Sequence, residues 1–238
     1  MDAASSIAAV ICAAGSSSRM GGIKKEYQRL DDSGEGLTVL GSVVRAFASV
    51  PSVQTIVIAV PENDETAARE ALSAELLTSS ALKILFVNGG NTRRASVHNA
   101  LCLLSACNPR YVLIHDGARP WVSTSLIENI ITAVKKHGAV IPLLPLADTP
   151  KECDAPFETA SASAPVFIKT HLKRANIGIA QTPQAFKFPE ILEAHEKAAC
   201  EHEDFTDDAE IWGRFCGQVA VIPGEPQNKK ITFPEDIK

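Results

Sequence analysis

Continuous apolar runs of strand length, alternating with segments of helical period, predict an α/β fold: a Rossmann-like, mostly parallel sheet with helices on both faces. The runs show no alternation of apolar with polar residues, so each strand is buried on both faces. The chain is also long enough: 238 residues, 45% of them apolar, can bury one large core.

The elements follow in order. Ile7–Cys12 reads as a buried strand and Thr38–Val50 as an amphipathic helix. Thr55–Val60 is a strand, Asp64–Leu77 a helix with an acidic first turn, Leu82–Val87 a strand and Arg93–Ser105 a helix. Tyr111–His115 is a strand. Ser123–His137 is a helix with Ser123 at its N-cap and Lys135, Lys136 and His137 in its last turn, where the helix dipole favours cations. Gly138 punctuates before the strand Ala139–Leu144. The rhythm then breaks: residues 147–180 hold small residues, prolines and short β-type pieces at Pro165–Thr170 and Ile177–Gln181. Val166, Phe167 and Ile168 need a surface to bury on, which predicts an inserted β-arm docked on a second subunit rather than a loose loop. Helices at Phe188–Glu201 and Thr206–Phe215 and strands at Gln218–Ile222 and Lys230–Phe233 complete a single domain, residues 1–238.

Composition narrows the function. A formal charge of −5 gives no global positive field for a nucleic-acid backbone. Apolar stretches are broken before the ~20 residues of a bilayer span, and the N-terminus has no basic n-region. A soluble, cytoplasmic protein is expected. The six cysteines form no CxxC pair and read as buried free thiols, and no zinc spacing occurs among the histidines.

The chemistry gathers at strand ends. Ile7–Cys12 runs into Ala13-Ala14-Gly15-Ser16-Ser17-Ser18-Arg19-Met20-Gly21-Gly22, with Lys24 and Lys25 beyond. A small-residue loop after the first strand is where α/β sheets take phosphates on backbone N–H groups. The loop matches neither GxGxxG nor GxxxxGKS, which argues against a dinucleotide oxidoreductase or a Walker loop. It carries Arg19 and Lys25 instead, cations suited to a triphosphate whose charge grows as a bond to phosphorus breaks. Asp116 ends its strand in His-Asp-Gly-Ala-Arg-Pro and suits a Mg²⁺ bridging phosphate oxygens. Asp148-Thr149 and the Gly89–Ser96 segment end two further strands at the same edge. Other residues take structural readings: His115 as a packed histidine, Trp212 and Phe215 as a core face, and Asp207, Asp208 and Glu210 as first-turn acids of a helix.

The motifs AAGSSSRMG, GGNTRRASV, HDGARP, ADTPK, QTPQAF, FTDDAEIW and NKKITFPED, in this order, resemble the 4-diphosphocytidyl-2-C-methyl-D-erythritol synthases across residues 7–237. The resemblance implies a Mg²⁺-dependent transfer of CMP from CTP to 2-C-methyl-D-erythritol 4-phosphate, releasing pyrophosphate. It implies catalytic roles for Arg19, Lys25 and Lys230, a triphosphate loop at Ala14, Gly15 and Ser16, and base and ribose contacts from Ala13, Ala14, Gly90, Asn91 and Ser96. Asp116 would serve metal and ribose, with Arg119 as support. Thr149, Arg174, Thr182 and Thr206 would hold the sugar phosphate, Arg174 reaching it from the partner of a homodimer. The chain departs from the family in a first loop one residue shorter, in Lys24 where proline is usual and in Asn91 where aspartate is common. Lys24 is therefore a second candidate for the catalytic lysine, with Lys25 preferred because Glu26-Tyr27 follows it as Gln-Tyr does in the family. The alternatives are a ribitol-5-phosphate cytidylyltransferase and a non-catalytic nucleotide-binding regulator.

Overall fold

A computed structural model describes residues 6–17, 20–30, 36–201 and 205–237. Arg19 lies outside the described residues.

Strands β1 (Ile7–Cys12), β2 (Val53–Val60), β3 (Lys83–Asn88), β4 (Tyr111–Asp116) and β5 (Ala139–Pro145) point the same way in the main sheet. Two more strands, β6 (Lys151–Cys153) and β7 (Ile168–His171), form a separate antiparallel ribbon. β8 (Gly178–Ala180), β9 (Gln184–Lys187) and β10 (Ala220–Pro223) return to the main sheet, whose order is β10-β5-β9-β4-β1-β2-β3 with β8 also paired to β5. β9 runs antiparallel between β4 and β5, so the sheet is mixed at its centre. Its four residues, QAFK, are too short and too polar at the ends to announce a strand, and none was predicted there.

Alternation along the strands loads two apolar layers. Ile7, Ala9 and Ile11 face the helices α1 (Val39–Ala48) and α5 (Thr124–His137), among Val43, Phe47, Ile127 and Ile130. Ala8 and Val10 face α4 (Arg93–Leu104), α6 (Phe188–Ala199) and α7 (Asp208–Phe215), among Val97, Leu101, Phe188, Ile191 and Ile211. Helices therefore cover both faces. Side-chain caps set their starts: Thr38, Thr92, Ser123 and Asp207 each accept an N–H three residues on. Gly138 stops α5 with φ of 84°.

The structure corrects three expectations. The helix over Asp64–Leu77 is two short ones, α2 (Glu65–Glu70) and α3 (Ala74–Thr78), because Ser73 caps a new start by accepting from Leu76 N–H. Lys230–Phe233 is no strand: Ile231 N–H goes to the Ala118 carbonyl, and the Asp236 carboxylate takes the N–H groups of Thr232 and Phe233. The thiols are free, but Cys102, Cys107, Cys200 and Cys216 are exposed and only Cys12 and Cys153 are partly covered.

Within 147–180 the ribbon leaves Phe167 67% and Ile168 52% exposed, and Phe157 in the intervening turn 76%.

Candidate nucleotide site

Parallel register brings the functional strand ends together. Cys12 pairs with Asp116 and with Ala59, and Val60 pairs with Asn88, so the loops after β1, β3 and β4 open on one edge of the sheet. They surround a cavity of about 490 Å³. Ala14, Gly15, Ser16, Lys25, Gly90, Asn91, Ser96, Asp116 and Lys230 all line it. Ala13 sits just behind, 1% exposed. The sequence reading missed Ser17, Met20, Glu26, Thr92, Arg93, Ala118 and Thr232, which share the wall. Arg93 and Thr232 lie inside quoted motifs, but nothing in their spacing sets them apart from their neighbours.

Glycine is required in the β3–α4 loop. A Cβ on Gly89 would lie 2.2 Å from Ala14 Cβ, and one on Gly90 would lie 2.4 Å from Ala95 Cβ. Ser96 Oγ accepts the Gly90 N–H at 3.0 Å and donates to the Thr92 carbonyl at 2.9 Å, fixing the loop on the first turn of α4.

Asp116 is the electrostatic centre. Lys230 Nζ lies 2.9 Å and Arg119 Nε 3.3 Å from Oδ2, and Arg93 Nε 3.4 Å from Oδ1. Burial alone would raise its pKa; Lys230, Arg93 and Arg119 together outweigh that and hold it far below the usual carboxylate range. The backbone beneath is braced. Burial pushes His115 down to about 4, so the ring is neutral at pH 7. Its Nε2 faces the Arg119 carbonyl at 3.3 Å, which can only accept, so Nε2 carries the proton. Nδ1 then accepts from Thr182 Oγ1 at 2.9 Å, and Thr182 Oγ1 accepts the Asp116 N–H at 3.1 Å.

Loops distant in sequence close the same wall. Asn228 donates to the Thr182 carbonyl and its own carbonyl takes Arg119 Nη1 and Gln181 Nε2. Lys25 Nζ donates to the Ile231 carbonyl at 2.9 Å, joining the first loop to the Lys230 segment. Lys24 Nζ instead donates to the Gly15 carbonyl at 2.8 Å, and Lys25 rather than Lys24 forms part of the wall.

None of the four residues expected to hold a sugar phosphate lines this cavity. Thr149, Arg174 and Thr206 are exposed and lie outside the wall of this cavity. Arg174 Nη1 donates to the Ala147 carbonyl, and Thr206 Oγ1 to Glu210 at 2.8 Å. Thr182 is 5% exposed, with its hydroxyl committed to His115 and Asp116.

A mostly parallel α/β sheet with a small-residue loop and converging cations at its carboxyl edge has the features on which such folds bind phosphorylated ligands. Comparison with known proteins makes this particular. The profile of the family described as IspD, 2-C-methyl-D-erythritol 4-phosphate cytidylyltransferase, matches residues 7–238, and the chain belongs to that family. It is 38% identical over 238 residues to the bifunctional enzyme IspD/IspF of Brucella anthropi, covering 98% of this chain and 54% of the relative. The chain thus spans about half the length of the curated relatives it matches. The crystal structure of 4-diphosphocytidyl-2C-methyl-D-erythritol synthase from Anaerococcus prevotii superposes with a TM-score of 0.80 at 28% identity, over 99% of this chain and 96% of that one. The 2-C-methyl-D-erythritol 4-phosphate cytidylyltransferase of Thermus thermophilus gives 0.72 at 29% identity, over 98% and 95%.

Proposed function

We propose that this chain transfers CMP from CTP to 2-C-methyl-D-erythritol 4-phosphate, releasing pyrophosphate and forming 4-diphosphocytidyl-2-C-methyl-D-erythritol. The observation that carries the reading is the single cavity joining the Ala14–Ser16 loop, Lys25, Lys230 and Asp116 to the Gly90–Ser96 segment. The nucleophile is the acceptor's own phosphate, anionic at neutral pH, so the site needs no general base. It needs two polyanions held together and the charge on the α-phosphate neutralised as the new bond forms. Lys25 and Lys230 supply that charge, and the family resemblance gives Arg19 the same role. Gly90, Asn91 and Ser96 read the base beside Ala13 and Ala14.

The donor set fits a magnesium ion that arrives with its nucleotide. Magnesium characteristically takes one or two carboxylates plus substrate phosphates. Asp116, fully ionised at a strand end in the cavity wall, would hold it, and the ion would neutralise phosphate charge.

Thr149, Arg174, Thr182 and Thr206 are the residues proposed to take the acceptor phosphate. The exposed Phe157, Phe167 and Ile168 support pairing with a second copy, whose ribbon segment would bring Arg174 to this site. Among the described residues no helix is long and apolar enough to cross a membrane. The reading takes the protein as a cytoplasmic homodimer, and a net charge of −5 favours small anionic substrates held by local cations over a nucleic-acid backbone.

Pyrophosphate release from CTP and Mg²⁺ tests the assignment, comparing methylerythritol phosphate with ribitol 5-phosphate as acceptors. Release with methylerythritol phosphate is expected. Release with ribitol phosphate alone would move the chain to the sister activity, and none with either would remove the catalytic claim.

A further inference from the structure

We propose that Asp208 is a positioning residue for Arg93, and through it for the nucleotide cleft; this rests on reading that cleft as the CTP site. Asp208 is the first residue of α7 and wholly buried. Its Oδ2 lies 2.8 Å from Arg93 Nη1, and its Oδ1 lies 3.1 Å from Nε2 of the equally buried His195. Withdrawing a carboxylate from water is unfavourable, and helix α7 does not require it. Asp207 already caps α7, with Oδ1 accepting the Glu210 N–H at 2.9 Å. The first turn of α7 would be complete without a second acid.

Arg93 shows what Asp208 is for. Arg93 opens α4, and no acidic residue stands in that first turn. A cation at a helix N-terminus opposes the helix dipole, so an arginine there is held by something outside the helix. Two carboxylates hold it: Asp208 on Nη1 and Asp116 on Nε at 3.4 Å. Two anchors on different edges of a planar guanidinium fix its plane. They occupy two of its five N–H groups, while the side chain forms part of the cavity wall beside Thr92 and Ser96. Remove Asp208 and the guanidinium keeps one anchor, Asp116, the same carboxylate that steadies Lys230 at 2.9 Å. The buried acid therefore orients a nucleotide-facing cation and keeps it from competing with Lys230.

The test uses the full chain and three variants: Asp208→Asn, isosteric but uncharged; Arg93→Lys, which keeps charge and loses the two-edge geometry; and the double variant. Affinity for CTP is read by titration calorimetry, and KM and kcat by pyrophosphate release. Each single variant is expected to weaken CTP binding and raise KM for CTP about tenfold, the scale of a charge-assisted hydrogen-bond pair, with kcat within about threefold. The double variant is expected to be no worse than either single one, because both break the same contact. A folded Asp208→Asn with CTP affinity within about twofold of wild type would overturn the proposal, as would additive losses. Should Asp208→Asn fail to fold, Arg93→Lys decides: affinity within about twofold of wild type overturns the proposal, and a tenfold loss upholds it. Affinity is read without turnover, so a wild type that binds CTP but releases no pyrophosphate would sink the transferase reading alone.

Discussion

The carboxyl edge of the main sheet and the ribbon inserted between β5 and β8 are built on opposite terms. At the sheet edge the central charge is partnered within the chain: Asp116 faces Lys230 and Arg93 from other segments and Arg119 from its own loop, and its backbone is tied through Thr182 to a neutral buried His115. In the ribbon the backbone pairs only within itself, and large apolar side chains face outward. The first region is complete within one chain. The second leaves Phe157, Phe167 and Ile168 exposed in the single chain. The proposed function puts the phosphate chemistry at the sheet edge and acceptor binding at a joint between two copies.

The sharpest way to break the comparison is to neutralise an edge cation. Lys25→Ala and Lys230→Ala are each expected to lower kcat about 10²–10³-fold with an unchanged circular dichroism spectrum, because a preorganised charge acts on the transition state without being needed for the fold. Near-normal turnover would remove the roles given to these lysines.

The next effect is on stability. His115 is ordinarily half-protonated at pH 6.5, and burial pushes it down to about 4. Between those values the unfolded chain binds the proton and the folded chain does not, so this group's contribution is present above pH 6.5 and lost as the pH falls toward 4. By linkage the loss is about 3 kcal/mol. Glu26, pushed up by burial, works in the opposite sense, so the comparison is between wild type and His115→Gln in urea. The stability gap between them should shrink as the pH falls from 7 to 4; a constant gap would show that the brace under Asp116 does not titrate as described.

Smaller still is the expected cost of Phe167→Ser on the ribbon. Exposed in the single chain, this side chain should leave the melting temperature nearly unchanged while weakening self-association about tenfold or more, read by sedimentation at micromolar concentration. A melting temperature that falls instead would place Phe167 in the monomer's own packing.

Much of this was legible beforehand because burial on two faces leaves a plain mark. Five parallel strands and the helices between them follow from continuous apolar runs, and the edge loops follow from where those runs stop; β3, at the end of the sheet, departs from the expectation in having no fully buried residue. β9 left no such mark: an antiparallel insertion of four residues is specified by its neighbours β4 and β5, not by its own pattern. Lys230–Phe233 misled for the converse reason, since Ile231 is apolar and buried but its N–H serves the Ala118 carbonyl rather than a ladder. The wall residues in the Gly/Ser loops and the lysines were visible in the sequence, whereas Ser17, Glu26, Thr92, Arg93, Ala118 and Thr232 were not. Asp208 was not, because a first-turn acid has a sufficient local explanation, and only the fold brings α7 beside α4.

The account stands on one site assembled from two unlike regions, an edge from one chain and Arg174 from another, and mixed dimers test it most directly. Lys25→Ala and Arg174→Ala are each expected to be nearly inactive. Co-expressed in equal amounts with random pairing, they should recover about a quarter of wild-type pyrophosphate release, since half the dimers carry one site with both residues intact. Activity no greater than the sum of the two parents would contradict the shared site and return Arg174 to its own chain.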